Sequence, residues 1–168
     1  MTATDPLGFL GEEFLTWLWY RLETEGGDFS LGKGRDIGVS FDDYIVFSAC
    51  DEDETEQILR GGTPSRTQEA ATSLRNGRRL SRARLVIALG EQEWSLVLEG
   101  TTMNLLTVKL PPDAESETAD ARSVERAQAF LTLHELVSGL YGVFLEERLS
   151  PGYLGGGAES QATWMATR

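Results

Sequence analysis

The sequence predicts an α+β protein, an antiparallel sheet of four to six strands packed by an N-terminal helix, a middle helix and a long C-terminal helix. Three observations predict it. Residues 80–99 alternate with period two on both sides of a Gly-Glu turn. Residues 9–27 and 124–149 are rich in apolar residues at helical spacing. Extended runs rich in Val, Ile, Leu and aromatic residues, at 37–49 and 104–110, end at acidic or Pro-rich breaks.

The first helix is FLGEEFLTWLWYRLETEGG. Glu12 and Glu13 suit a first turn, where negative charge meets the positive end of the helix dipole. Leu10, Phe14, Leu18 and Leu22 recur every four residues, and Trp17, Trp19 and Tyr20 lie off that line. The helix is therefore apolar around most of its circumference, which fits a core helix between layers. The excess also predicts a dimer or partner contact through Trp17, Trp19 or Tyr20.

DFSL offers a short strand, and IGVSFDDYIVFSA a longer one after the LGKG turn. Lys33 is followed by Gly34 rather than Ser or Thr, so LGKG is no P-loop. The acidic run at 51–56 lacks the alternating ligands and turn glycine of a calcium loop and reads as a solvated loop or helix start. A helix over 66–76 follows GGTPS and stops at Asn76-Gly77.

The hairpin carries the sharpest expectation. A two-residue Gly90-Glu91 loop pairs Leu89 with Gln92, Ile87 with Trp94 and Leu85 with Leu96. Alternation then puts Ile87 and Trp94 inside and Arg82, Arg84 and Val97 outside, with Arg82 opposite Glu99. In the next strand Leu106, Val108 and Leu110 are expected to face the core, with Thr107 and Lys109 outside. The long helix has a stripe of Val124, Ala127, Leu131, Leu140 and Phe144, flanked by Leu133, Val137 and Tyr141. His134 reads as a structural residue on its flank, since no nucleophile or metal cluster accompanies it. Residues 1–149 are expected to form one domain, and the Gly-rich 150–168 a flexible tail in which Trp164 is a candidate docking residue.

Of the 168 residues, 40% are hydrophobic and 25% charged, an ordinary balance for a soluble domain. No apolar run is long enough to span a membrane as a helix, and MTATDPLG does not read as a signal peptide. One cysteine, Cys50, makes no internal disulfide and fits a cytoplasmic setting. With one cysteine and one histidine, structural zinc is not expected, and no motif calls for a cofactor or a small-molecule substrate. A metal-dependent nuclease is disfavoured because the acids form no compact motif.

The net charge is -12, yet residues 64–84 carry six arginines and one acid, a local +5 that leaves -17 elsewhere. Arg78, Arg82 and Arg84 alternate on the outer strand face, where successive same-face positions lie about 6.8 Å apart. Arg79 sits at the turn and Arg75 at a helix end. Two readings stand side by side. One is an ion-paired sheet face; the other is a polyanion surface, because planar guanidinium groups grip phosphate oxygens in pairs.

FLTWLWY with GGDFSL and RDIGVSF, then TQEAATSLRNGRRLSRARLVIALGEQEWSLVLEG, LLTVKLP and AFLTLHELVSGLYGVFLE, resembles the C-terminal half of the recombination-associated protein RdgC family over residues 9–148. The resemblance implies an α+β, non-enzymatic protein that binds duplex DNA without sequence preference, as a dimeric ring that restrains RecA-driven recombination. It would make Arg75, Arg78, Arg79, Arg82, Arg84 and Lys109 the phosphate contacts, and place the protein at the nucleoid. The alternative is an acidic protein-interaction module that keeps the fold without DNA binding and uses its aromatic helix or its tail.

Overall fold

A computed structural model of the protein describes residues 6–49, 55–112 and 118–168. Cys50 and the acids at 51–54 lie outside the described residues. The order is α1 (Pro6–Thr24), β1 (Asp28–Ser30), β2 (Asp36–Phe47), β3 (Gln57–Arg60), α2 (Gln68–Arg75), β4 (Leu80–Leu89), β5 (Gln92–Glu99), β6 (Asn104–Lys109), α3 (Ala119–Arg148) and α4 (Ala158–Thr167). The fold is α+β, as expected. Its six-stranded antiparallel sheet runs β1-β2-β4-β5-β6, with β3 paired to the far end of β2. No helix among the described residues is long and apolar enough to cross a membrane.

α1 begins at Pro6, a residue whose fixed φ and missing N–H suit a first helical turn. Glu12 and Glu13 therefore lie beyond the first turn rather than in it. Glu13 instead accepts from Arg148 of α3 at 3.2 Å. Phe14, Leu15, Trp17, Leu18 and Trp19 are buried, and Trp17 packs against Phe29 and Phe144. This is the core-helix reading of α1. At Gly11 the helix touches Gly100: a Cβ there would sit 1.4 Å from the Gly100 carbonyl oxygen. Only two glycines allow the backbones to meet so closely.

The hairpin has the expected register throughout. Leu89 pairs with Gln92, Ile87 with Trp94, Leu85 with Leu96 and Arg82 with Glu99. Gly90 has the positive φ that the tight loop requires. Ile87, Trp94, Leu85, Leu96 and Leu98 are fully buried in the one core cluster, and the Trp94 indole donates to the Ala129 carbonyl at 3.0 Å. α2 is capped by Thr67, whose hydroxyl accepts from the Ala70 amide, and adds Ala70 and Leu74 to the same core.

Three expectations need correction. In β6, Val97 pairs with Leu106 but Ser95 with Lys109, so one extra residue is inserted, and Thr107 takes a φ of 45°. This bulge turns Leu105 and Val108 toward the core and leaves Leu106 outside, 40% exposed. In α3 the buried residues are Leu133, Leu136, Val137, Leu140 and Phe144, while Val124, Ala127 and Leu131 are exposed. A 30-residue helix is about 45 Å long, and the described core covers only its C-terminal part. Most of the acidic run at 51–56, expected as a solvated loop or helix start, lies outside the described residues, and Thr55 and Glu56 lead into β3.

The third concerns the C-terminus. Residues 150–168 were expected to be a flexible tail, but a π-turn over Tyr153–Gly157 leads into α4, which folds back onto α1. Trp164 stands edge-on to Trp19 at 5.8 Å and to Tyr20 at 5.5 Å, and its indole donates to Glu23 at 3.2 Å. Arg168 lies over both Trp19 and Trp164, pairs with Glu23 and donates to the Ser65 carbonyl at 3.2 Å. Burial holds the Arg168 pKa below its ordinary value, against the pull of Glu23.

Candidate binding face on the sheet

The side of β4 away from the helices carries Arg82, Arg84 and Val86 in alternation. The neighbouring strand β2 breaks its own alternation here. Phe41 pairs with Leu85 and Ile45 with Ala83, so Asp42, Asp43 and Tyr44 all stand against Arg84. Two extra residues in one strand arch the backbone and re-aim its side chains. The bulge brings the Asp43 carboxylate to the Arg84 guanidinium at 2.7 Å and sets the Tyr44 ring beneath it, 6.0 Å away.

Arg60 of β3 pairs in register with Tyr44, and its guanidinium lies over the same ring at 5.0 Å. Arg82 is held on two sides, by Glu56 at 2.9 Å and Glu99 at 3.4 Å. Glu99 is itself fixed by the Thr102 hydroxyl, which donates to it at 2.6 Å. Val97 faces the same way, but only 5% of it is exposed because it floors a cleft of about 300 Å³. Asp43, Tyr44, Arg60, Arg82, Arg84, Leu106 and Thr107 form the rest of its lining.

The expected phosphate contacts do not all meet there. Arg82 and Arg84 do. Arg78 turns away and donates to the Thr55 carbonyl at 3.1 Å. Arg79 anchors the start of β4 through its carbonyl, which accepts from the Ser48 amide at 2.8 Å. Arg75 is exposed at the end of α2, where its side chain reaches Thr72. Lys109 stands on a separate groove with Pro111, Pro112 and Phe130.

The expected partner residues are placed otherwise too. Trp17 and Trp19 are each 1% exposed, inside the core. Tyr20 and Trp164 are half-buried against each other. The apolar excess of α1 is thus covered by the chain's own α3 and α4, which corrects its reading as a partner patch. His134 is exposed on α3, and no group of three or more His, Cys, Asp or Glu residues among the described ones is placed to hold a metal.

Sequence reasoning missed Arg60, Tyr44 and Asp43. The signal was present in FDDY, where two consecutive acids interrupt an alternating strand. Alternation within one strand, however, does not reveal which other strand will lie beside it. Comparison with family models, with curated proteins and with solved structures finds no match for this chain.

Proposed function

We propose that this protein is a non-enzymatic protein-interaction module whose working surface is the open face of the sheet around Arg60, Arg82 and Arg84. One observation carries the reading. Arg82 and Arg84 are already met by Asp43, Glu56 and Glu99 of the same chain. Together with Arg60, that patch holds three cations and three anions, and the chain around it is acidic. A duplex binder gains its affinity from cations that displace the counterions of phosphate. Here Arg82 and Arg84 would first have to loosen the carboxylates that already hold them. A balanced face with an apolar floor suits a protein surface, where complementary charges fix register and partner choice.

A second reading is duplex DNA binding of the RdgC kind, favoured by the six arginines within residues 64–84. A titration with fluorescent duplex DNA at low salt separates the two. The interaction module shows no saturable binding in the roughly micromolar to 100 micromolar range of non-specific duplex binders. Binding in that range, weakened steeply by salt and strengthened in an Asp43→Asn/Glu99→Gln variant, would establish the DNA reading instead.

A further inference from the structure

We infer that the cleft around Tyr44 is a receptor for a partner's carboxylate side chain with an apolar neighbour, the carboxylate bridging Arg60 and Arg84 and the apolar group resting on Val97 and Leu106. The inference rests on the interaction-module reading and names the chemistry of its partner.

The geometry sets two guanidinium groups around one aromatic ring. Arg60 lies 5.0 Å and Arg84 6.0 Å from the Tyr44 centroid. The ring's negative face attracts each cation, and both guanidinium groups line the same cleft. Arg84 donates to Asp43 through Nη1, and Arg60 makes no ion pair with any described residue. A guanidinium presents five N–H donors in a fixed fork, so donors remain on both groups. A carboxylate has two oxygens and about four lone-pair sites, enough to accept from both at once. Placed there it would supply the counter-charge that Arg60 finds in none of the described residues.

The apolar half of the ligand follows from the floor. Val97 is nearly closed off, while Leu106 stands 40% exposed at the rim, put there by the bulge at Thr107. Leu106 thus offers an apolar contact beside three arginines at the rim of the cleft. Size points the same way. About 300 Å³ accommodates one or two side chains, whereas a duplex backbone needs a row of cations along an open surface.

The test uses the whole chain labelled with ¹⁵N-arginine and ¹³C-methyl groups. The probes are N-acetyl-glutamyl-leucine amide, its glutaminyl analogue and inorganic phosphate, at matched ionic strength. The glutamyl probe should shift the Arg60 and Arg84 Nε–H signals and the Val97 and Leu106 methyls together, with a single Kd on the order of millimolar for so small a ligand. The glutaminyl probe should bind at least ten-fold more weakly. Arg60→Ala should weaken the glutamyl probe at least ten-fold, with the β4–β5 spectrum unchanged; Arg60→Lys should restore part of the affinity.

Equal binding of the two peptides, or undiminished binding to Arg60→Ala, would overturn the inference. So would phosphate that binds more tightly than the peptide and moves the guanidinium signals without the methyls. That last outcome would point to a phosphate ligand and, with duplex binding in the titration above, would sink the interaction reading too. If duplex DNA and the glutamyl probe both fail to bind, the carboxylate site alone is lost, and the interaction reading stands on its own test.

Discussion

The two faces of the β4–β5 hairpin are made by one short stretch of chain, yet they are held by different means. On the inner face Leu85, Ile87, Trp94, Leu96 and Leu98 are fully buried in a single cluster. On the outer face Arg82, Arg84 and Glu99 stay partly exposed and find partners from three separate places: the β2 bulge, the segment before β3 and the hairpin itself. Burial of apolar surface is non-directional, so any apolar neighbour will serve. An ion pair needs a particular oxygen within about 4 Å. The inner face is therefore robust to how the rest of the chain arrives, and the outer face depends on it.

The largest expected effect sharpens that difference. Trp94→Ala removes a fully buried ring and the indole bond to the Ala129 carbonyl. It should cost about 3–5 kcal/mol in denaturant unfolding. A loss below about 1 kcal/mol would mean that the inner face is not the core.

Trp164→Ala tests a surface of intermediate kind, where α4 covers the aromatic side of α1. Two edge-on ring pairs are lost, and the cost should be about 1–2 kcal/mol. Limited proteolysis should then release the segment after Gly157 faster than in the wild type. Unchanged cleavage would show that α4 does not depend on that contact.

On the outer face Arg84→Ala should cost no more than about 1 kcal/mol, because the pair with Asp43 is partly solvated. A double-mutant cycle with Asp43→Asn should give a coupling of about 0.5–1 kcal/mol that shrinks in high salt. A loss matching that of Trp94→Ala would erase the distinction between the faces.

The smallest effect is one of pH. Burial, with a small addition from Glu13, raises the pKa of Tyr141; burial also raises that of Tyr153, although Arg148 pulls it down. A raised acid pKa means that the folded state holds its proton longer than the unfolded chain does. Stability from these two groups is intact below about pH 10 and falls as pH rises from there through their folded values. Tyr153→Phe also loses the hydroxyl's bond to Gln161 at 3.2 Å, so its denaturant midpoint should lie slightly below the wild type's at pH 8. That gap should narrow above pH 10, where only the wild type loses stability to the titration of Tyr153.

Local pattern alone settles the hairpin register, the burial of Ile87 against Trp94, the pairing of Arg82 with Glu99 and the helical character of the segments around α1, α2 and α3. Each follows from a local period or a local turn, and local periods are written in consecutive residues. Everything else came from tertiary packing, the way distant elements come together. It put β2 beside β4, so that the FDDY bulge supplied the acid for Arg84 that the hairpin lacked. It placed Arg60 over Tyr44 and gave Leu106 to the outer face through a bulge at Thr107. It also folded the Gly-rich C-terminus onto Trp19, so that an apparent partner surface became part of the core. These outcomes depend on which distant elements become neighbours, and no period within one element carries that information.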